Sequence, residues 1–168
     1  MPKSSEIKAF LGLLRSGGES APFPKGLPAA VIDTNVLMDF WHFRDPQALP
    51  LLALLEAGAF TAVRDEDTEN EFAEVLGRPQ FGEPLERQKE ILGRWHRLAR
   101  PAPGRARSPF GCRDPLDQKL FDLAEAAGAS LIITKDRLVL KAGRKTARAG
   151  LRILTPAQAV EALGKTQG

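Results

Sequence analysis

Four acidic residues stand where short apolar runs give way to a turn or a helix: Asp33 in AVIDTN, Glu71 in ENEFAEVL, Asp117 in RDPLDQKLFDLAEA and Asp136 in LIITKD. In an alternating α/β pattern, a carboxylate at a strand end sits just outside the carboxyl edge of the sheet, where open parallel sheets place their ligands. Gathered in one cleft, such carboxylates repel by about 4 kcal/mol per close pair at an effective dielectric of roughly 20. The cluster persists only if something compensates, and hard divalent cations with oxygen ligands do so. Each acid also has a plain structural use. Asp114, before Pro115, is a good helix N-cap, and Asp117 then complements the helix dipole at the third position. Asp33 would cap the helix starting at Thr34, Asp136 would favour a turn, and Glu71 would lie on a solvated helix face. What sets them apart is their joint placement at the ends of two strands and on the two flanking helices.

The elements that must position these acids are legible as apolar periodicity. Residues 4–15 carry Ile7, Phe10, Leu11 and Leu14 at helical spacing behind Ser4 and Ser5, which could cap the first turn. SGGESAPFPKGLP then reads as a linker, so the core domain begins near Ala29. AAVID, AFTAVRD, SLIIT and LRILT read as four strands. Between them lie helices: NVLMDFW; DPQALPLLALLEAG, with Asp45 as N-cap and Pro46 first; the acidic DEDTENEFAEVLGR, with Phe72, Val75 and Leu76 inward; GEPLERQKEILGRWHRLAR; and DPLDQKLFDLAEAAG, ended by Gly128. PAQAVEALG closes the domain as a helix capped by Thr155. Strand and helix alternate without internal repeat. This predicts an α/β fold, a central mostly parallel sheet between two helical layers in a single domain.

Composition narrows the function classes. A chain of 168 residues fits one domain that buries roughly 70% of its unfolded surface. With one cysteine, Cys112, and two histidines, it has neither an internal disulfide nor the material for a Cys/His zinc site. No leader-like or membrane-spanning stretch is present, which together with the cysteine count suits a reducing cytoplasm and no membrane partner. The net charge of +3 is modest but segregated. Arg94 to Arg113 holds six arginines and no acid, and Lys135 to Arg152 holds seven basic residues against Asp136 alone. Such blocks suit a polyanion, although any one of these residues could equally be solubilising charge. Arg94, Arg97 and Arg100 recur at helical spacing, with Arg113 continuing toward Asp114, and Lys135 and Arg137 flank Asp136 on the other side. There is no tyrosine, so readout by stacked bases is not expected.

AVIDTNVLMDFW resembles the opening strand and helix of the PIN domain, a family of small metal-dependent nucleases. EFAEVLGRPQF is similar to its second acidic helix. CRDPLDQKLFDLAEAAGASLIITKD is similar to its third and fourth motifs together, in the form seen in the toxin-antitoxin branch of bacterial PIN proteins. The resemblance spans Ala29 to Leu163 and implies a PIN-like three-layer fold. It implies Asp33, Glu71, Asp117 and Asp136 as catalytic acids and metal ligands, with Asn35 and Thr134 orienting them. Asp114 is an additional ligand or only a cap. Magnesium or manganese, held by carboxylates with open water positions, fits the ligand chemistry. Attack by water would leave a 5′-phosphate and a 3′-hydroxyl, with no histidine needed as a base, and His42 and His96 read as structural. RNA is the implied substrate, with DNA as the alternative, and a neutralising antitoxin protein is the implied partner. Residues 1–28 have no counterpart in the family; docking a partner, pairing with a second copy of the chain and a mobile tail remain open for them.

Two rivals differ in class. A receiver or haloacid-dehalogenase-like phosphotransfer domain also groups acids around magnesium, but needs a DD pair or a DxD after the first strand, and DTN offers neither. A catalytically silent binding module on the same fold would have no reason to hold mutually repelling carboxylates.

Overall fold

The computed structural model describes residues 3–17, 26–110 and 115–164, and the side chains of 3–4 and 115–117 lie outside that description. Its elements run in the order α1 (Lys3–Ser16), β1 (Ala29–Ile32), α2 (Thr34–Trp41), α3 (Leu49–Glu56), β2 (Thr61–Arg64), α4 (Glu66–Leu76) and a 3-10 turn (Pro79–Phe81). There follow α5 (Leu85–Leu98), β3 (Arg100–Pro101), α6 (Pro115–Ala127), β4 (Leu131–Ile133), α7 (Arg137–Lys141), α8 (Gly143–Ala147), β5 (Arg152–Leu154) and α9 (Pro156–Gly164). The described strands form one five-stranded, wholly parallel sheet in the order β3-β2-β1-β4-β5.

Strand alternation builds the core on both faces. In β1, Ala30 and Ile32 join the cluster under α1 to α5 and α9, while Ala29 and Val31 join the one under α6 and α7. Because both faces are covered, the strands read as continuous apolar runs. Phe40, Trp41, Phe72 and Trp95 pack edge-on or tilted in the larger cluster, with ring centroids 5.5 to 6.5 Å apart. Phe72, which the sequence pattern turns inward, is wholly buried.

Three features depart from the sequence pattern. Arg100–Pro101 forms a two-residue edge strand where the pattern reads only a break, so LRILT is the fifth strand rather than the fourth. The helix expected from Asp45 begins at Leu49 with Pro50 in its first turn; Asp45 instead closes a turn, accepting from Gln47 N at 2.9 Å. Pro46 and Pro50 each suit a first helical turn there, and the second takes that place, behind Ala48. Finally, α1 starts at Lys3, so Ser4 and Ser5 lie within it rather than at its cap. It lays Ile7 and Leu11 into the core, a role not among the three left open for residues 1–28.

Other signals act as their chemistry suggests. Thr155 and Gln158 form a reciprocal cap at the start of α9, with bonds of 2.9 and 3.2 Å. Gly128, at φ +62°, ends α6 in the left-handed region. In a parallel sheet, α2, α4 and α7 leave the carboxyl edge, and α6, which turns directly into β4, starts there. One edge of the sheet thus collects these four helix starts, together with that of α9 after β5.

Candidate functional site

Asp33 follows the last residue of β1, and its backbone N–H donates to Ile133 O at 2.9 Å, pinning it against β4. It occupies the N-cap position of α2, yet its side chain makes no capping bond. Its Oδ2 instead accepts from the Thr134 hydroxyl at 2.7 Å and from the Asn35 amide at 3.4 Å. The capping use open to Asp33 is therefore not taken. Thr134, wholly buried, also accepts from the Asp136 N–H at 3.0 Å, so one hydroxyl ties the side chain of one acid to the backbone of another. Asn35 Oδ1 accepts from Lys135 N at 3.4 Å, a second tie between the ends of β1 and β4.

Asp136 performs its structural role with one oxygen: Oδ1 accepts from Leu138 N at 2.8 Å and caps α7. Glu71 is half-buried on α4, and its Oε2 accepts from the Thr34 hydroxyl at 3.0 Å, next in the chain to Asp33. It is held rather than left on a solvated face. Hydroxyl and amide donors orient these carboxylates: Thr134 and Asn35 on Asp33, Thr34 on Glu71, and the Leu138 N–H on Asp136.

Asp117 lies in the first turn of α6, at the same carboxyl edge, but its side chain is outside the described residues, as are Asp114 and Arg113 altogether. Among the described residues no three His, Cys, Asp or Glu side chains come close enough to hold a metal ion. Asp33, Glu71 and Asp136 offer the hard oxygen donors that a divalent cation takes, with no sulfur or imidazole among them. The donor chemistry fits, and the described part of the site alone does not complete a centre.

Compared with known protein families, residues 29–138 match the PIN domain, about two thirds of the chain. The chain belongs to the PIN-domain family. PIN domains are typically nucleases, and they generally use divalent metals. The match begins at the first residue of β1 and ends in α7, so it takes in Asp33, Glu71, Asp117 and Asp136. No curated protein matches the chain. Among the described residues of this PIN domain no helix is long and apolar enough to cross a membrane.

The basic residues fall into separate groups. Lys135 Nζ lies 2.6 Å from Asp39 Oδ2, whose residue is 2% exposed; the contact is off a hydrogen-bonding angle, so it neutralises the buried acid electrostatically rather than by a directed bond. Arg137 starts α7 on the exposed surface. Arg94, Arg97 and Arg100 do not share one helical face. The helix ends at Leu98, Arg94 is exposed and lies 3.7 Å from Glu90, and Arg100 belongs to β3. Arg97 and Arg100 instead line one cleft, described below.

A second charged cluster escapes the sequence pattern. Glu69 on α4 is wholly buried; its carboxylate accepts from Arg15 Nε at 2.9 Å and lies 2.7 Å from His96 Nδ1. His96 Nε2 is 3.2 Å from an Arg64 guanidinium nitrogen. Since a guanidinium only donates, Nε2 accepts there, and Nδ1 carries the proton toward Glu69. A signal for Glu69 exists: it precedes Phe72, Ala73 and Leu76 by three, four and seven residues, so it sits on the apolar stripe of its helix. The acidic run around it hides that placement. Burial pushes the Arg64 pKa below its ordinary value; Glu69 opposes the shift, and Arg15 and Arg100 add to it. His42 is structural by its contacts, 3.0 Å from Glu83 and edge-on to Phe43 and Phe81.

Proposed function

We propose that this PIN domain is a metal-dependent endoribonuclease and the toxin of a toxin-antitoxin pair, acting in the cytoplasm. The observation that carries the nuclease reading is Asp33. It stands at a helix start without capping it, and its Oδ2 is oriented by the Thr134 hydroxyl and the Asn35 amide, across the ends of β1 and β4. Glu71 is oriented by Thr34, and Asp136 shares Thr134 with Asp33. These three, with Asp117 and either help or capping from Asp114, would hold magnesium or manganese. When bound, the cation supplies water activation and offsets charge on the scissile phosphate. The chain's own residues fix where that happens: Thr134 holds two acids in register, and Asn35 steadies Asp33. Lys135 and Arg137, beside Asp136, and Arg94, Arg97, Arg100 and Arg113 would meet the RNA backbone. The resemblance supports the toxin role, in which an antitoxin protein covers the site.

The test is cleavage of a single-stranded RNA of mixed sequence by the full chain. Cleavage is expected with Mg²⁺ or Mn²⁺, is expected to stop in EDTA, and should leave 5′-phosphate ends. Asp33→Asn should lower turnover by at least about 100-fold, more than the usual loss from removing a supporting residue at a metal site. Wild-type turnover in Asp33→Asn, or cleavage that persists in EDTA, would overturn the reading.

A further inference from the structure

On the far side of α4 from Glu71, a cleft of about 810 Å³ opens at the carboxyl ends of β2 and β3. Arg15, Arg64, Arg97, Arg100 and Arg105 line it, with His96. Three carboxylates share the lining, and each is engaged. Asp65 caps α4, accepting from Thr68 N at 2.8 Å. Glu69 is held by Arg15 and His96, and Glu66 lies 3.9 Å from Arg15. Among the described residues Arg97, Arg100 and Arg105 make no ion pair within 4 Å. The cleft therefore has a surplus of positive charge: exposed Arg97 and Arg105 and half-buried Arg100 stand around a frame built on buried Glu69.

The frame has a definite construction. Arg64 is held by its Nε, which donates to His96 O at 3.2 Å, and by His96 Nε2; His96 is held by buried Glu69, and Glu69 by Arg15 from α1. Arg64 loses solvent by burial, which Glu69 opposes, and it has Arg15 and Arg100 nearby, so a further anion at this frame would be favoured. Guanidinium groups in a fixed array match phosphate oxygens with paired donors.

We propose that this cleft is an anion-binding site that seats successive backbone phosphates of the RNA strand, outside the carboxylate site. Its position selects a strand over a free ion. β3, β2 and β1 are adjacent, so at about 4.8 Å per strand the cleft begins within roughly 10 Å of Asp33 along the sheet edge. A polyanion crossing the start of α4 meets both. The site depends on α1, which lies outside the family match, since Arg15 supplies the outermost tie to Glu69. The identity of the ligand as RNA rests on the nuclease reading; the capture of phosphate does not.

The experiment measures binding without cleavage. The full chain in EDTA is titrated against a fluorescent single-stranded RNA of mixed sequence over a range of salt. The triple variant Arg97→Gln, Arg100→Gln, Arg105→Gln should bind at least about tenfold more weakly. Its plot of log affinity against log salt should flatten by about 2, at about 0.7 per lost phosphate contact. Arg78→Gln, which breaks an exposed helix pair with Glu74 away from the cleft, serves as control and should match wild type. Unchanged affinity and slope in the triple variant, or an equal loss in Arg78→Gln, would overturn the proposal. So would tight binding of a glutamate-rich peptide that depends on the three arginines while RNA binding does not, which would assign the cleft to a protein partner. Loss of RNA binding in the triple variant of a chain that never cleaves RNA would defeat the nuclease reading and leave the phosphate site standing. Metal-dependent cleavage with unaltered binding in the triple variant would do the reverse.

Discussion

Two acids on one helix, two residues apart, meet opposite fates. Glu71 faces Thr34 and is held by a hydroxyl; Glu69 faces α1 and α5 and is held by an arginine and a histidine. Two residues on a helix differ by about 200°, so α4 presents one carboxylate to each side. On the Glu69 side the negative charge is spent inside the fold, and a surplus of arginine remains at the surface. On the Glu71 side, hydroxyl and amide groups orient Asp33, Glu71 and Asp136, and these are the acids proposed to meet a cation. The contrast separates an acid paired with charged groups inside the fold from one oriented by a hydroxyl. It also predicts different responses to substitution.

The largest effect on stability is expected at Glu69. Glu69→Ala leaves Arg15, His96 and Arg64 around an empty, buried position and should cost about 3 kcal/mol, the lower end for a broken buried pair because Arg15 is partly exposed. Glu69→Gln keeps the acceptor and should cost less. Urea denaturation measures both, while turnover at saturating RNA should stay close to wild type. If Glu69→Ala melted like wild type, the engaged side of the contrast would fail.

Thr134→Val acts on the other side and should cost less in stability than in activity. Removing the hydroxyl frees Asp33 Oδ2 from one donor and strips an acceptor from Asp136 N, so turnover should fall by about 10- to 100-fold, as for supporting residues at metal sites. Thr134→Ser, which keeps the hydroxyl, should restore most of it. Equal activity in Thr134→Val and wild type would mean that the threonine is only a core residue.

Much of this was legible in the sequence because the parallel strands are buried on both faces. AAVI, TAVR, LII and RIL each carry the apolar run that such burial requires, and Asp33 and Asp136 follow two of those runs. Glu71 was legible as the residue just before an apolar stripe. β3 was not, because a two-residue edge strand reading Arg-Pro has no apolar run and pairs on one side only. The cleft was not, because its arginines come from α1, β2, α5, β3 and the loop after it; spacing on one helix suggested a track through Arg94, whereas tertiary packing gathers Arg97 with Arg15 and Arg64. Asp39 was hidden in NVLMDFW for a related reason: its partner, Lys135, is almost a hundred residues away in the chain.

The central claim is that the Asp33 side of α4 holds a divalent cation. Titration of the full chain with Mn²⁺, followed by the electron paramagnetic resonance signal of the free ion, tests it directly and without substrate. Wild type should deplete free Mn²⁺, and Asp33→Asn should weaken that binding by at least about tenfold while the metal-free variant melts at or above the wild-type temperature, since one repelling charge is gone. Glu69→Gln should bind Mn²⁺ as wild type does. Equal Mn²⁺ binding by wild type and Asp33→Asn, or no binding by wild type, would contradict the account.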